Sequence, residues 1–505
     1  MTRGHADCRD HTGLATTQQR VPNRQRRVLT WRHDHYDRDR QKRPETAVDP
    51  PTPTPRALRD ALKQGSSGQG GTAGTSLEFR PMTDGARQVQ RTYLLLTLLT
   101  TLATSFIWGI NTLFLLDAGL TNTEAFAANA FFTVGQVLFE VPTGVVADTR
   151  GRRFSFLVGA ATLLLSTLLY LVMWQVHAPF VGWAAASILL GLGFTFFSGA
   201  TEAWLVDALA ASGFKGDLES VFGRAQTVGG VAMLVGSVAG GFIAQATDLG
   251  VPYILRAAML GVTLLIAWRF MHDLGFSPAR GVTAGAAIRT VVRGAVDGGL
   301  RNPPVRWMML AAPFTAGVGI YAFYAFQPYL LELYGDPGAY GIAGLAAALV
   351  AAAQIVGGLL VSRVRRLFRR RTHALILGGV VNVVLLALVG LTTSFVAALV
   401  LLAGWAMIRA FTGPIRQAYI NGAIPSDQRA TVLSFDSLMG SAGGVVAQPF
   451  LGRTADLFGY PASYLVAAGA QALAVPFVLL ARRERAPSDA ITDGAVEAAP
   501  QSKAG

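Results

Sequence analysis

The sequence is poor in charged residues and in cysteine, and each shortage excludes a class of protein. Charged residues make up 14% of the 505 residues, whereas hydrophobic residues make up 51%. A soluble protein ordinarily carries about 25% charged residues, so this composition excludes an ordinary water-soluble protein. The single cysteine, Cys8, lies in the N-terminal region, which excludes a disulfide framework and a cysteine metal site. We also expect no metal and no cofactor.

The hydrophobic residues come in long runs. The first extends from Tyr93 to Leu120 and holds one ionisable residue, Asp117. A helix needs about 20 apolar residues to cross a hydrocarbon core of about 30 Å. Runs of this length predict an all-α membrane protein with twelve transmembrane helices. The predicted spans are residues 93–117, 123–147, 153–174, 179–207, 221–246, 250–271, 305–331, 338–362, 373–393, 395–418, 429–450 and 462–482.

Polar regions divide the chain into five parts. Residues 1–90 are charged and rich in proline and glycine, a composition that favours disorder. Met82 is an alternative start that would remove most of this tail. The predicted parts are the disordered tail 1–90, a six-helix half 91–271, a central cytoplasmic loop 272–304, a second six-helix half 305–483 and a disordered tail 484–505.

Basic residues are distributed unevenly between the loops. The loops after spans two, four, six, eight and ten carry arginine or lysine, and those after spans one, three, five, seven and nine carry none. The positive-inside rule therefore predicts an inner-membrane protein with both termini in the cytoplasm. The net charge of +13 comes from residues that flank apolar spans, which favours contact with the lipid bilayer and argues against nucleic acid.

The two halves resemble each other in sequence. The segment SGATEAWLVDAL at the end of span four matches FTGPIRQAYINGAI at the end of span ten, which aligns Glu202 with Arg416. The segment FIAQATDLGVPY after span five matches FLGRTADLFGYP after span eleven, which aligns Asp248 with Asp456. Six-helix halves repeated in the same sense are typical of transporters that rock around a central site.

The loop after span two carries the most specific motif. It contains Gly144, Asp148, Gly151, Arg152 and Arg153, and it resembles the pattern G-x-x-x-D-x-x-G-R-[KR] of the major facilitator superfamily. An alternative is that the arginines serve topology alone, which leaves the acid and the glycines unexplained. The resemblance implies the fold of that superfamily, a monomer that transports small molecules, and a gating role for this loop.

Span five carries a second, weaker motif. Gly236, Ser237, Gly240 and Gly241 resemble the G-P-x-x-G-G signature of drug/proton antiporters, with serine in place of proline. The resemblance implies export, whereas the alternative is close packing of small residues against a neighbouring span. Span four lacks the arginine that many proton-coupled exporters carry, which argues against proton coupling.

Ionisable residues inside spans are costly and commonly functional. We expect Glu140, Glu202, Arg409 and Asp436 to form a charge network at an inner gate, with Glu140 as the candidate proton carrier. Permanent structural pairing is the alternative, and it is favoured for Asp207 and Arg416. The candidate residues lining the substrate cavity are Trp108, Asn111, Gln136, Tyr321, Tyr324 and Gln354. For the aromatic residues among them, the alternative is a place in an aromatic belt at the membrane interface.

These features predict secondary active transport by alternating access, with export of small amphiphilic molecules and protons as the possible coupling ion. The alternatives left open are uptake of a sugar, an acid or a peptide, and a membrane sensor without transport. The sequence lacks H-E-x-x-H, G-x-S-x-G and P-loop motifs, so we expect no enzyme activity.

Overall fold

The computed structural model describes residues 83–491, apart from residues 198, 279–283 and 427. Within these residues the chain forms fifteen α-helices and no β-strand. The helices are α1 Asp84–Trp108, α2 Asn111–Asp117, α3 Asn122–Arg150, α4 Arg152–Gln175, α5 Phe180–Thr195, α6 Ala200–Ala211, α7 Leu218–Ala246, α8 Gly250–Phe270, α9 Ala284–Gly294, α10 Pro303–Tyr334, α11 Tyr340–Arg365, α12 Arg371–Leu391, α13 Phe395–Gly422, α14 Arg429–Ala472 and α15 Ala474–Arg483.

Most of these helices are long and apolar enough to cross a membrane. Ten helical segments of the described chain meet both conditions, and α1 with α2, which meet at a bend of 50°, form an eleventh if they are one broken span. The longest segment, Thr431–Arg483, contains Gly459, whose φ of 80° and ψ of 168° interrupt the helix. The expectation of an all-α membrane protein is confirmed.

The outer surface of the bundle is apolar. Val181 is 75% exposed, Leu359 is 69% exposed and Leu265 is 65% exposed. Large hydrophobic side chains spread over a surface in this way would be an aggregation hazard in water. In a bilayer they face hydrocarbon, so the exterior agrees with the hydropathy of the helices.

The first helix begins upstream of the hydrophobic run. The Thr83 hydroxyl accepts a hydrogen bond from the Ala86 amide at 3.2 Å, and Asp84 places a negative charge in the first turn. Both features stabilise a helix N-terminus. Residues 84–90, which the sequence assigned to the disordered tail, are therefore helical, and the rest of that expected tail, residues 1–82, lies outside the described residues.

The segment after α15 is packed against the bundle. Asp489 is 3% exposed, and its carboxylate accepts hydrogen bonds from the Thr372 amide at 2.8 Å and the Thr372 hydroxyl at 3.0 Å. The Arg371 guanidinium donates to the Ala490 carbonyl at 2.7 Å. Residues 484–491, which were expected to be disordered, are thus ordered because Asp489 caps the N-terminus of α12.

The helices form two groups on either side of the connection at residues 272–302. We call residues 83–271 the N-segment and residues 303–491 the C-segment. Within the N-segment α1 packs against α7 and α3 against α5, and within the C-segment α10 packs against α14 and α11 against α13. The two segments meet mainly along two seams, α3 with α14 and α7 with α11, and α10 also contacts α2.

Candidate functional site

Hydrogen bonds join the two segments at one end of the bundle, which we call the closed end. The Gln327 side chain accepts from the Thr112 amide at 2.9 Å and donates to the Trp108 carbonyl at 3.0 Å. The Gln245 side chain accepts from the Gly341 amide at 2.9 Å. Since Gly341 lies in the first turn of α11, Gln245 of α7 caps the N-terminus of a helix in the other segment.

A carboxylate makes the equivalent contact on the second seam. Asp456 of α14 accepts hydrogen bonds from the backbone amides of Asn122 and Thr123, both at 2.9 Å, and from the Thr123 hydroxyl. The Tyr460 hydroxyl donates to the Asn122 side chain. Asp456 therefore places a negative charge at the N-terminus of α3, where the helix dipole favours it.

The opposite end, at which α3, α11 and α15 finish with arginines, is the basic end. The motif that was expected to serve as a gate lies here. Asp148 pairs with Arg152 at 2.5 Å, within the motif, and the Asp148 side chain is 48% exposed. Gly151 has a φ of 109°, which favours glycine, and the Arg153 amide donates to Asp273 at 2.8 Å. No atom lies within 4 Å of where a Cβ would stand on Gly144, so this glycine makes no close approach in this conformation.

Two of the predicted network acids share a cavity in the N-segment, which we call the acidic cavity. Its volume is about 530 Å³, and its polar lining includes Gln136, Glu140, Thr195 and Glu202. Both glutamates are exposed to this space. Because Glu140 stands two turns before Asp148 on α3, the acidic cavity lies toward the basic end.

The other two predicted network residues lie in a second cavity, lined by α10, α12, α13, α14 and α15, which we call the basic cavity. Its volume is about 360 Å³. Asp436 is paired with Arg416, not with Arg409, through two hydrogen bonds of 2.6 Å. The structure therefore divides the predicted network into an acidic pair in one segment and an arginine-rich group in the other.

The antiporter-like motif lies at the junction of three helices. A Cβ on Gly236 would overlap the Ser105 hydroxyl, and a Cβ on Gly240 would overlap the Phe106 carbonyl. On the other side, a Cβ on Gly241 would stand 2.9 Å from the Gly344 Cα. The glycines thus let α7 approach both α1 and α11, and one of those contacts joins the two segments. Ser237, at the proline position, donates its hydroxyl to the Met233 carbonyl of its own helix at 2.7 Å.

The predicted cavity residues are scattered. Gln136 lines the acidic cavity, and Gln354 is an exposed residue of α11. Asn111 is 8% exposed and bonds Asn129 at 2.9 Å, while Tyr321 is fully buried and bonds Ser463. Tyr321 and Asn111 therefore belong to the packed interior.

Two further predicted lining residues lie beside the contact between the segments. The Trp108 ring packs against Phe323 in a tilted arrangement, with a centroid distance of 4.6 Å. The Tyr324 carbonyl accepts a hydrogen bond from the Thr112 hydroxyl at 3.0 Å. Both residues take part in closing the bundle at the closed end.

Sequence reasoning missed a buried cation in α8. Arg256 is 2% exposed, and its guanidinium donates to the Thr167 hydroxyl at 3.0 Å and the Ala103 carbonyl at 3.4 Å. It lies inside a predicted span, so a search for every ionisable residue within the spans would have found it. In the described part of the chain, no group of three or more His, Cys, Asp and Glu residues is placed to hold a metal ion.

Comparison with known proteins identifies the family. The model of the Major Facilitator Superfamily matches residues 93–446 and 339–503. The chain belongs to this superfamily. An uncharacterised MFS-type transporter of Methanocaldococcus jannaschii is 23% identical over 181 residues, which are 36% of this chain and 45% of that protein. The match thus spans less than half the length of that curated relative.

Solved transporters share the fold. The nucleoside transporter NupG superposes with a TM-score of 0.64 at 11% identity, over 79% of this chain and 100% of that chain. A bacterial homologue of the human lysosomal transporter Spinster, inward-facing and unoccupied, gives 0.61 at 15% identity, over 82% and 100%. A D-xylose-proton symporter gives 0.56 at 15% identity, over 78% and 96%. The family and these neighbours indicate a multi-pass membrane transporter rather than an enzyme.

Proposed function

We propose that this protein is a secondary active transporter that works by alternating access and exports small amphiphilic molecules. The observation that carries the proposal is the unequal distribution of contacts between the two segments. Gln245, Gln327 and Asp456 join the segments at the closed end. The acidic cavity lies toward the basic end, and the basic cavity is lined by Val478, five residues before the last arginine of α15. This arrangement is the one expected of a transporter that is open on a single side of the membrane.

The proposal includes twelve spans in two six-helix halves. The segment Thr431–Arg483 has 53 residues, and a helix of that length would extend about 80 Å at about 1.5 Å per residue. A hydrocarbon core of about 30 Å leaves room for two crossings, and the break at Gly459 lies between them. Counting this segment as two spans and α1 with α2 as one gives twelve.

The orientation follows from the arginines. The positive-inside rule assigns the basic end to the cytoplasm, so both termini are cytoplasmic and the conformation described here is open to the cytoplasm. The cell (inner) membrane is the proposed location, and the monomer is the proposed working unit.

Export is supported by the antiporter-like motif of α7, whose glycines hold together α1, α7 and α11. Glu140 is the proposed proton carrier because it faces the acidic cavity beside Glu202. Ionisable side chains within membrane spans are commonly functional, and both glutamates line this cavity. Uptake of a solute by the same machinery is the second candidate.

The test is accumulation in cells that lack their own exporters and express the full chain. A panel of fluorescent cations, neutral dyes and labelled carboxylates is followed with and without a protonophore. Asp148→Asn should abolish the effect, whereas Asp297→Asn should preserve it, because Asp297 forms a similar ion pair with Arg301 at 2.7 Å in the central connection. Lower accumulation that the protonophore abolishes supports proton-driven export. Raised accumulation would show uptake instead.

A further inference from the structure

Arg409 is held in one position by three neighbours. Its guanidinium donates to the Thr315 carbonyl at 2.8 Å and lies 5.1 Å from the centre of the Trp405 ring. A Cβ on Gly319 would overlap the guanidinium group, so this glycine provides the space that it occupies. An arginine fixed by a carbonyl, a ring and a glycine is preorganised to bind a ligand.

The charge of Arg409 has no compensating carboxylate. Among the described residues, no Asp or Glu oxygen forms an ion pair with Arg409, and Asp436, the carboxylate of this cavity, is engaged by Arg416 through both of its oxygens. The Arg416–Asp436 pair is neutral in sum, so the described lining carries one net positive charge. A cation in a low-dielectric site is stabilised by an anion.

The cavity around Arg409 also has unused hydrogen-bonding groups. Asn382 is 4% exposed and Gln471 is 3% exposed, and both line the basic cavity. Neither the Asn382 Oδ1 atom nor the Gln471 Oε1 atom has a hydrogen-bond partner. Buried amide oxygens are rarely left unpaired, so these two atoms indicate a ligand with polar groups besides its charge. The remaining lining, which includes Ile320, Leu375 and Val478, is apolar.

We propose that the basic cavity binds an amphiphilic organic carboxylate, with its carboxylate on Arg409 and its polar substituents on Asn382 and Gln471. This inference rests on the proposed function and names the substrate class of that transporter. One net positive charge matches a monoanion, which favours a carboxylate over a doubly charged phosphate ester. The volume of about 360 Å³ lies in the range of small-molecule sites.

Binding to the purified full-length protein tests this assignment directly. The probes are 4-phenylbutyrate, indole-3-acetate and octanoate, each compared with the uncharged amide of the same skeleton. Displacement of radiolabelled 4-phenylbutyrate gives the affinities. Hydrogen bonds to a charged group predict that the carboxylates bind about ten- to a hundredfold more tightly than their amides. Arg409→Gln should remove this preference, and Arg409→Lys should retain part of it.

Gly319→Ala and Arg453→Gln complete the variant set. Gly319→Ala should weaken carboxylate binding because the added methyl group displaces the guanidinium. Arg453→Gln removes an exposed arginine of the same segment and should leave the preference unchanged. If Arg409→Gln does not fold, the comparison of carboxylate with amide in the wild type and in Gly319→Ala still decides the matter.

The outcomes separate this assignment from the proposed function. Three carboxylates that bind no more tightly than their amides, or a preference that survives Arg409→Gln, would overturn the assignment. Counterflow of the labelled probe in proteoliposomes measures transport separately. Arg409-dependent binding without counterflow would keep the site and reject transport, whereas transport of cations or neutral compounds alone would keep the transporter and reject the carboxylate site.

Discussion

Asp456→Asn should loosen the closed end without unfolding the protein. The wild-type carboxylate accepts three hydrogen bonds from Asn122 and Thr123. The amide of asparagine has one accepting oxygen, so at least one backbone N–H of α3 loses its partner, and the charge at the helix N-terminus is lost. Hydrogen bonds to charged groups contribute about 1.5–3 kcal/mol each, and a charge at a helix end about 0.3–1 kcal/mol.

The site is exposed to solvent, so we take the lower part of these ranges, about 1–2 kcal/mol for the whole change. Because the bonds join two segments that separate when the closed end opens, the loss falls on the closed conformation alone. A difference of about 1–2 kcal/mol changes a population ratio by about 5- to 30-fold. We therefore expect the population of molecules whose two segments are separated at the closed end to become measurable.

Spin-label distances measure this equilibrium. Labels at Val176 and Thr393, exposed positions near the closed end on different segments, are introduced into a Cys8→Ser background. Asp456→Asn should add a longer distance to the distribution. Asp248→Asn is the matched control, because Asp248 caps its own helix α8 through the Gly250 amide at 2.8 Å and joins no two segments. An unchanged distribution, or an equal change with Asp248→Asn, would refute the reasoning.

Three further substitutions test the remaining contacts. Gly240→Ala should destabilise the protein by about 1–3 kcal/mol because the added methyl group overlaps α1. Gly230→Ala is the control, since a Cβ there meets no atom within 4 Å, and thermal unfolding compares the stability of the two variants. Arg416→Met leaves the Asp436 carboxylate buried without its cation, which costs up to about 3–5 kcal/mol. Adding Asp436→Leu should recover much of that loss, and a double variant as unstable as the single one would contradict this account. Glu140→Gln should flatten the pH dependence of transport in vesicles, and an unchanged pH profile would show that Glu140 carries no coupling proton.

The hydrophobic runs and the local motif geometry could be predicted from the sequence, because both depend on neighbouring residues. Gly151 has the positive φ that a tight turn between two helices requires, and Asp148 and Arg152 pair at a spacing of four residues, as they can on any such turn. The run of Thr431–Arg483 likewise covers all but the first two residues of the predicted final spans, 429–450 and 462–482. These features need no knowledge of how one helix faces another.

The contacts of the charged residues could not be predicted, because they depend on the rotation of each helix. A helix turns by about 100° per residue, since it has about 3.6 residues per turn, so an error of one residue moves a side chain to another face. Asp436 was expected to be a functional member of the charge network and Arg416 a structural residue, yet they pair with each other across α13 and α14. Arg409, placed in the same network, has a carbonyl and an aromatic ring as neighbours.

The closed end shows why a sequence repeat is an incomplete guide to equivalent roles. The repeat aligns Asp248 with Asp456, but Asp248 caps its own helix, and the residue that reaches into the other segment is Gln245, one turn earlier. Asp456 caps α3 from α14, and Gln245 caps α11 from α7, so the two seams use the same device with different residues. The two seams share this geometry because each capped helix has backbone amides without a partner at its N-terminus. Any hydrogen-bond acceptor within reach can bind them. The charge of the acceptor is free to differ, and so the α3–α14 seam is the one whose strength depends on a carboxylate.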